Sequence, residues 1–300
     1  MKTSFRMLRR LLFPPRCAAC GMLLDDAFSA APRALCAACL VKWDAQKEAL
    51  CHCCGEPVAD CKRPVNAMPR HGIDALIKLV EYEPQKRGGV GNRVIFKLKD
   101  KESAELQAFL AAELAPAIYK QLVELGQTPE NAVLVWAPRS KKAERARGFD
   151  QSRGLCMALS HELGMQKPVQ MIRRTGGRVQ KMLGEEQRRQ NAFSAFEAVP
   201  EHCADLKGKC VILVDDVVTT GSTLSACAAK LRPYKPATVI THFPFKSAQC
   251  SGTASKAENA FCRLCSSPSI FCTRPPVRRI IFTGFGMPSS CARAIHNPLD

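Results

Sequence analysis

The sequence predicts an α/β fold, a parallel sheet flanked by helices and preceded by a small cysteine-rich module. Three observations lead there. Between residues 72 and 246, apolar runs of strand length alternate with segments of helical periodicity, the pattern of β-α-β units. Seven cysteines crowd into residues 17–54, with an eighth at Cys61, where long apolar periodicity is missing. From residue 247 onward Ser, Pro, Arg and Cys rise and periodicity vanishes, which predicts a poorly ordered tail. The expected organisation is a lead-in over 1–16, a cysteine module over 17–70, an α/β domain over 71–246 and a tail over 247–300.

Within the α/β region, Ala75–Tyr82 reads as a strand. Lys101–Glu124 reads as a long helix with Leu106, Phe109, Leu110 and Leu114 on one face, and Pro116 predicts a kink or break inside it. Ala132–Ala137 is apolar along its whole length and Lys209–Val214 is apolar from Cys210 onward, as strands buried on both faces are. Gln151–Leu163 and Ser222–Leu231 have helical patterns, and Ala237–His242 closes the series as a short strand.

Bulk properties remove several function classes. The longest apolar runs, such as Val211–Val214, are strand-sized, well short of the roughly 20 residues that cross a bilayer. The first residues, MKTSFRMLRRLLFPPRC, have too short an apolar piece for a secretory signal and no small-residue cleavage site, so a cytoplasmic location is expected. A net charge of +17 favours anionic partners: phosphorylated small molecules, nucleic acid or an acidic protein face. Aromatic residues make up 6% of the chain, too few for an extensive base-stacking platform.

Chemistry concentrates in VILVDDVVTTGST, residues 211–223. The apolar strand ends in Asp215-Asp216, where α/β proteins open their ligand crevice. Two adjacent carboxylates there can accept hydrogen bonds from a ribose diol or hold a divalent cation. Thr219, Thr220, Ser222 and Thr223 supply hydroxyls, and Gly221 allows close backbone approach to an anion. The following helix offers free N–H groups and a positive dipole end to a phosphate monoester.

This segment resembles the phosphoribosyl pyrophosphate (PRPP) motif of type I phosphoribosyltransferases. The wider chain, over about residues 15–245, resembles the ComF (competence protein F) family and the related GntX proteins. Trp136-Ala137-Pro138-Arg139-Ser140 is similar to the family's pyrophosphate loop, and Arg147-Gly148-Phe149-Asp150-Gln151 to its Arg-Gly-Phe-Asn-Gln signature. Leu98-Lys99 matches a Leu-Lys pair. Gln180, Leu183, Arg188, Arg189, Asn191 and Phe196 follow the family's spacing. Ala137 stands in place of Val, and Asp150 in place of Asn, which adds negative charge near the expected pyrophosphate.

The resemblance implies a type I phosphoribosyltransferase-like sheet and transfer of a phosphoribosyl group from PRPP, with Mg²⁺, to an acceptor the sequence does not name. Asp215 and Asp216 would contact the ribose as the catalytic pair. Thr219, Thr220, Gly221, Ser222 and Thr223 would hold the 5′-phosphate, and Pro138, Arg139, Lys141 and Arg147 the pyrophosphate. No general base is legible, since His161 and His202 read as surface residues. The same loop serves proteins that sense PRPP without catalysis, so fold does not decide activity. The family's association with competence implies a second reading, an accessory of DNA uptake that binds single-stranded DNA or works with a competence helicase.

The cysteine spacing speaks for itself. Cys17-x-x-Cys20 and Cys36-x-x-Cys39 are fifteen residues apart, the spacing of a four-thiolate structural zinc ribbon. Cys51-x-x-Cys54 repeats the first knuckle and Cys61 begins a fourth, but Pro64 stands where its partner belongs. Cys53, His52 or His71 could complete this second site, or it is degenerate and empty. In the tail, Cys262-x-x-Cys265 lacks a matching pair.

Overall fold

The computed structural model describes residues 12, 14–24, 33–51, 56–61, 72–82, 88–175 and 193–247. The expectations for the tail beyond 247, for most of the lead-in, for Gln180 through Asn191 and for His52, Cys53, Cys54, Pro64 and His71 lie outside them.

In chain order the elements are α1 (Ala37–Glu48), β1 (Ala75–Tyr82), α2 (Val90–Asp100), α3 (Ala104–Glu124), β2 (Ala132–Trp136), α4 (Lys141–Arg147) and α5 (Gln151–Glu162). Then come β3 (Ile172–Arg174), β4 (Phe196–Ala198), α6 (Pro200–Cys203), β5 (Cys210–Val214), β6 (Val217–Val218), α7 (Ser222–Leu231) and β7 (Thr238–Ser247). The main sheet is ordered β1-β7-β5-β2, every pair parallel, with β6 added beside β7. The short strands β3 and β4 form a separate antiparallel pair.

Each β5 side chain is buried, Val211 to Val214 at 0% exposure, as a strand covered by helices on both faces must be. On one face Leu106, Leu110 and Leu114 of α3 and Leu155, Cys156 and Leu159 of α5 meet Leu134, Ile212 and Ile240 of the sheet. On the other, Leu224, Cys227 and Leu231 of α7 and Phe196 of β4 meet Val135, Leu213 and Phe243. The helix after β2 therefore lies on one face and the helix after β5 on the other. Neighbouring strands whose helices diverge leave a crevice at their carboxyl ends, here beyond Trp136 and Val214.

Two expectations are corrected. The break allowed for at Pro116 does not occur: helix α3 is continuous from Ala104 to Glu124. Pro116 is exposed, so the carbonyl that the missing N–H leaves unbonded faces water. Strand β7 extends to Ser247, past Pro244. Its pairing to β1 passes over Pro244, joining Phe243 to Lys78 and then Phe245 to Val80.

The cysteine module docks through α1. Trp43 is fully buried, its ring edge-on to Phe109 at 5.6 Å and to Phe245 at 6.0 Å. Trp43 Nε1 donates to Glu113 Oε2 at 2.9 Å, and Lys47 Nζ reaches the same oxygen at 2.6 Å. Gln46 Oε1 accepts from the Gly91 N–H at 2.8 Å, at the start of α2. One helix thus fixes the module on three elements of the α/β domain. No helix among the described residues is long and apolar enough to cross a membrane.

Candidate functional site

The chain beyond β5 turns at once into polar backbone. The Asp215 N–H still donates to the His242 carbonyl, extending the ladder by one step. Asp215 Oδ1 then accepts from the Asp216 N–H at 2.8 Å and from the Ser152 hydroxyl at 3.0 Å, and Asp216 Oδ1 accepts from the Val217 N–H at 2.8 Å. Burial and the adjoining Asp216 carboxylate push the Asp215 carboxyl well above its usual range, while the bonds from Ser152 and Asp216 N–H oppose them. Ser152 sits on the first turn of α5, 63 residues away in sequence, and the sequence reading did not find it.

From the other side of the crevice comes the segment after β2. Pro138 is buried. Arg139 extends its guanidinium to Asp216 Oδ2 at 3.2 Å, with 20% and 11% of the two side chains exposed. Asp150 explains how this segment is held. One of its oxygens caps α5 by accepting from the Arg153 N–H at 3.2 Å, and the other accepts from the Arg139 N–H at 3.0 Å. An Asn has a single acceptor oxygen and could make only one of these bonds. The acid that looked like a liability beside a pyrophosphate is a clamp between two backbone segments, and its charge suits a helix N-terminus.

Arg147 and Lys141 stand apart from the acids. Lys141 is exposed at the start of α4. Arg147 donates through Nη1 to the Lys99 carbonyl, which also accepts from Gln151 Nε2 at 3.3 Å. The Leu98-Lys99 pair and the Arg147–Gln151 run therefore meet in space, and Gly148, at φ 78°, ends α4 in the left-handed conformation a side chain would oppose.

The hydroxyl loop follows β6. Thr219 and Thr220 are exposed, Ser222 and Thr223 half-buried. Gly221, at φ 75°, is the residue before α7 and supplies no side-chain cap to its first N–H groups. The Thr220 and Ser222 hydroxyls are 2.9 Å apart. The Ser222 N–H, first of this ten-residue helix, donates to the Thr220 hydroxyl at 3.4 Å, so the loop hydroxyls gather at the α7 N-terminus, where anions are favoured.

Sequence reading also missed Arg174. Its guanidinium lies 5.3 Å over the buried Phe196 ring, and its charge reaches the buried Cys227 thiol, as does that of Asp215.

In the module, Cys17, Cys20, Cys36 and Cys39 place their sulfurs all within 4.8 Å of one another. The Cys20 and Cys36 sulfurs are 3.7 Å apart. A zinc tetrathiolate with bonds of about 2.3 Å has sulfur–sulfur edges of about 3.8 Å, so the donor set fits the ion. Burial opposes ionisation of Cys17, but N–H groups of Cys20, Cys36 and Ala19 bring it down to about 7, whereas burial and the other thiols push Cys39 up to about 12. The second knuckle repeats the first: Cys51 N–H to Glu56 carbonyl and Val58 N–H to Ala49 carbonyl reproduce Cys17 to Met22 and Leu24 to Pro15. Cys51 and Cys61 bring their sulfurs to 3.5 Å.

Comparison with known proteins identifies two domain types in the chain. Residues 8–68 match the double zinc ribbon domain and residues 151–269 the phosphoribosyl transferase domain. The DNA utilization protein YhgH of Salmonella typhimurium is 31% identical over 200 residues, 65% of this chain and 82% of that protein. YhgH of Escherichia coli K12 is 29% identical over 188 residues, 61% and 77% of the two chains. Among solved structures, a hypoxanthine phosphoribosyltransferase from Staphylococcus aureus is 12% identical, with a TM-score of 0.34 over 52% of this chain and 74% of that one. With the ribbon thiols gathered, the acid pair at the carboxyl end of β5 and the extent of the likeness to YhgH, the chain belongs to the ComF family, a double zinc ribbon joined to a phosphoribosyltransferase-type domain.

Proposed function

We propose that this chain binds PRPP in the crevice between β2 and β5 and transfers its phosphoribosyl group to an acceptor. The observation that carries the proposal is the placement of Asp215 and Asp216 at the end of β5, fixed by Ser152 and Arg139 and leading directly into the hydroxyl loop and α7. The two carboxylates accept the ribose 2′- and 3′-hydroxyls. Residues 219–223 hold the 5′-phosphate against the α7 N–H groups. Pro138 and Arg139 lie on the β2 side, where pyrophosphate departs, and Lys141 and Arg147 add positive charge around it. As the bond to pyrophosphate lengthens, positive charge grows on the ribose carbon, and the carboxylates are placed to stabilise it. Carboxylate and hydroxyl oxygens are the hard donors Mg²⁺ takes, and the ion, shared with the ligand phosphates, would neutralise charge on the leaving group.

Thermal denaturation tests this. PRPP at about a hundredfold over its dissociation constant, with Mg²⁺, adds about 2.7 kcal/mol to stability. The Asp215→Asn, Asp216→Asn double variant is expected to lose that gain while staying folded. A wild-type chain indifferent to PRPP would defeat the proposal.

Two observations favour a second reading. The relatives are DNA utilization proteins, and this chain carries a net charge of +17. A role in handling single-stranded DNA predicts binding with a steep salt dependence that survives the Asp215 and Asp216 changes.

A further inference from the structure

We infer that Arg139 determines which sugar phosphates the site accepts, because its guanidinium pairs with Asp216, the acid assigned to the ribose. The inference rests on the PRPP-binding reading and adds a rule of selectivity to it. Arg139 guanidinium is paired with Asp216 at 3.2 Å. It belongs to the same segment as the groups assigned to pyrophosphate, so one cation serves two anionic positions. A ribose phosphate that brings only its 5′-phosphate must compete with Arg139 for Asp216 and leaves the displaced guanidinium with no new anion. A ligand that also carries a pyrophosphate supplies that anion, and the exchange of one charge-assisted contact for another costs little. Selectivity for PRPP over ribose 5-phosphate is then built on a contact the protein makes with itself.

Asp150 sets how firmly the segment stays in this position. Its Oδ2 takes the Arg139 N–H at 3.0 Å, while Oδ1 caps α5 through the Arg153 N–H at 3.2 Å. A change to Asn keeps the cap and gives up the bond to Arg139, because an amide nitrogen accepts nothing. The Arg139 N–H is thereby released to a pyrophosphate oxygen.

Calorimetric titration of the zinc-loaded full chain with ribose 5-phosphate, and with PRPP plus Mg²⁺, tests the inference. In Arg139→Ala, ribose 5-phosphate should bind about threefold to tenfold more tightly, the effect of removing a partly buried competing ion pair. PRPP should bind roughly tenfold to a hundredfold more weakly, having lost a contact to a charged group. In Asp150→Asn, PRPP should bind a few-fold more tightly, with ribose 5-phosphate unchanged. An Arg139→Ala chain that weakens PRPP and leaves ribose 5-phosphate unchanged or weaker makes Arg139 an ordinary pyrophosphate contact and overturns the inference. Should Arg139→Ala fail to fold, unchanged PRPP affinity in Asp150→Asn overturns it. A wild-type chain that binds neither sugar phosphate removes the PRPP reading itself, which is a different failure.

Discussion

The thiols of Cys17, Cys20, Cys36 and Cys39 and the carboxylates of Asp215 and Asp216 are both clusters of groups that ionise to the same sign. The carboxylate pair has a cation of its own chain, since Arg139 lies against Asp216. At the thiols, the groups that draw Cys17 toward ionisation are backbone N–H groups and a neighbouring thiol, none of them cationic. The contrast separates two uses of stored repulsion. A cluster drawn toward ionisation by backbone N–H groups suits an external dication and a structural role. A cluster neutralised by a side chain on a neighbouring loop can exchange that side chain for a ligand.

The largest expected effect of breaking this contrast is at the thiols. Structural zinc contributes about 10–16 kcal/mol of apparent binding free energy at neutral pH. Cys39→Ser removes a ligand and deprives α1 of the residue that ties its first turn to the cluster. Trp43, four residues along the same helix, should leave its buried position between Phe109 and Phe245. The chain has two tryptophans, so a Trp136→Phe background makes Trp43 fluorescence the reporter. A red shift on chelation or in Cys39→Ser is expected, and an unmoved spectrum would show that the module keeps its fold without metal.

A smaller effect is expected at the second knuckle. The first halves of the two knuckles share their backbone bonds, but Cys61 follows a turn closed by its N–H to the Pro57 carbonyl, and Pro64 stands at the fourth ligand's position in sequence. Cys51→Ser should therefore lower the melting temperature by less than half as much as Cys17→Ser, and graded chelation should empty the second site first. Equal losses would make the two sites equivalent.

Much of this was legible because it is local. β5 is a run of apolar residues followed by acids, and its covering on both faces follows from that run alone. Helix α7 matched its expected bounds, Ser222–Leu231, because a glycine precedes its apolar periodicity. What escaped is contact between distant segments. Ser152 meets Asp215 across 63 residues, and nothing about a serine after Gln151 announces it. Asp150 read as unfavourable charge because its two backbone donors, Arg139 and Arg153, come together only when β2 and α5 pack. The β3–β4 pair, three residues per strand, is too short to show alternation. Helix α1 was hidden by its composition, because the side chains it buries are one cysteine and one tryptophan. Strand β7 was cut short by Pro244, which argues against a central strand when pairing is unknown.

The smallest expected effect lies in the carboxylate pair, and its sign follows from the Asp215 shift. Burial and Asp216 hold the Asp215 carboxyl above its usual range in the folded chain, so the fold binds this proton more tightly than the unfolded chain does. Above the unfolded value of about 4 the unfolded chain releases the proton first, and stability falls as pH rises until Asp215 also ionises in the fold. Asn at 215 keeps an oxygen for Ser152 and the Asp216 N–H and carries no charge. Asp215→Asn is therefore expected to melt higher than wild type at neutral pH, with the gain shrinking on acidification and gone near pH 4. The same variant should bind PRPP more weakly if, as proposed, the charge that costs stability is the one that meets the ribose. Melting curves that run parallel across the pH range would show that Asp215 is not the strained member, and the repulsion would then rest on Asp216 and its hold on Arg139.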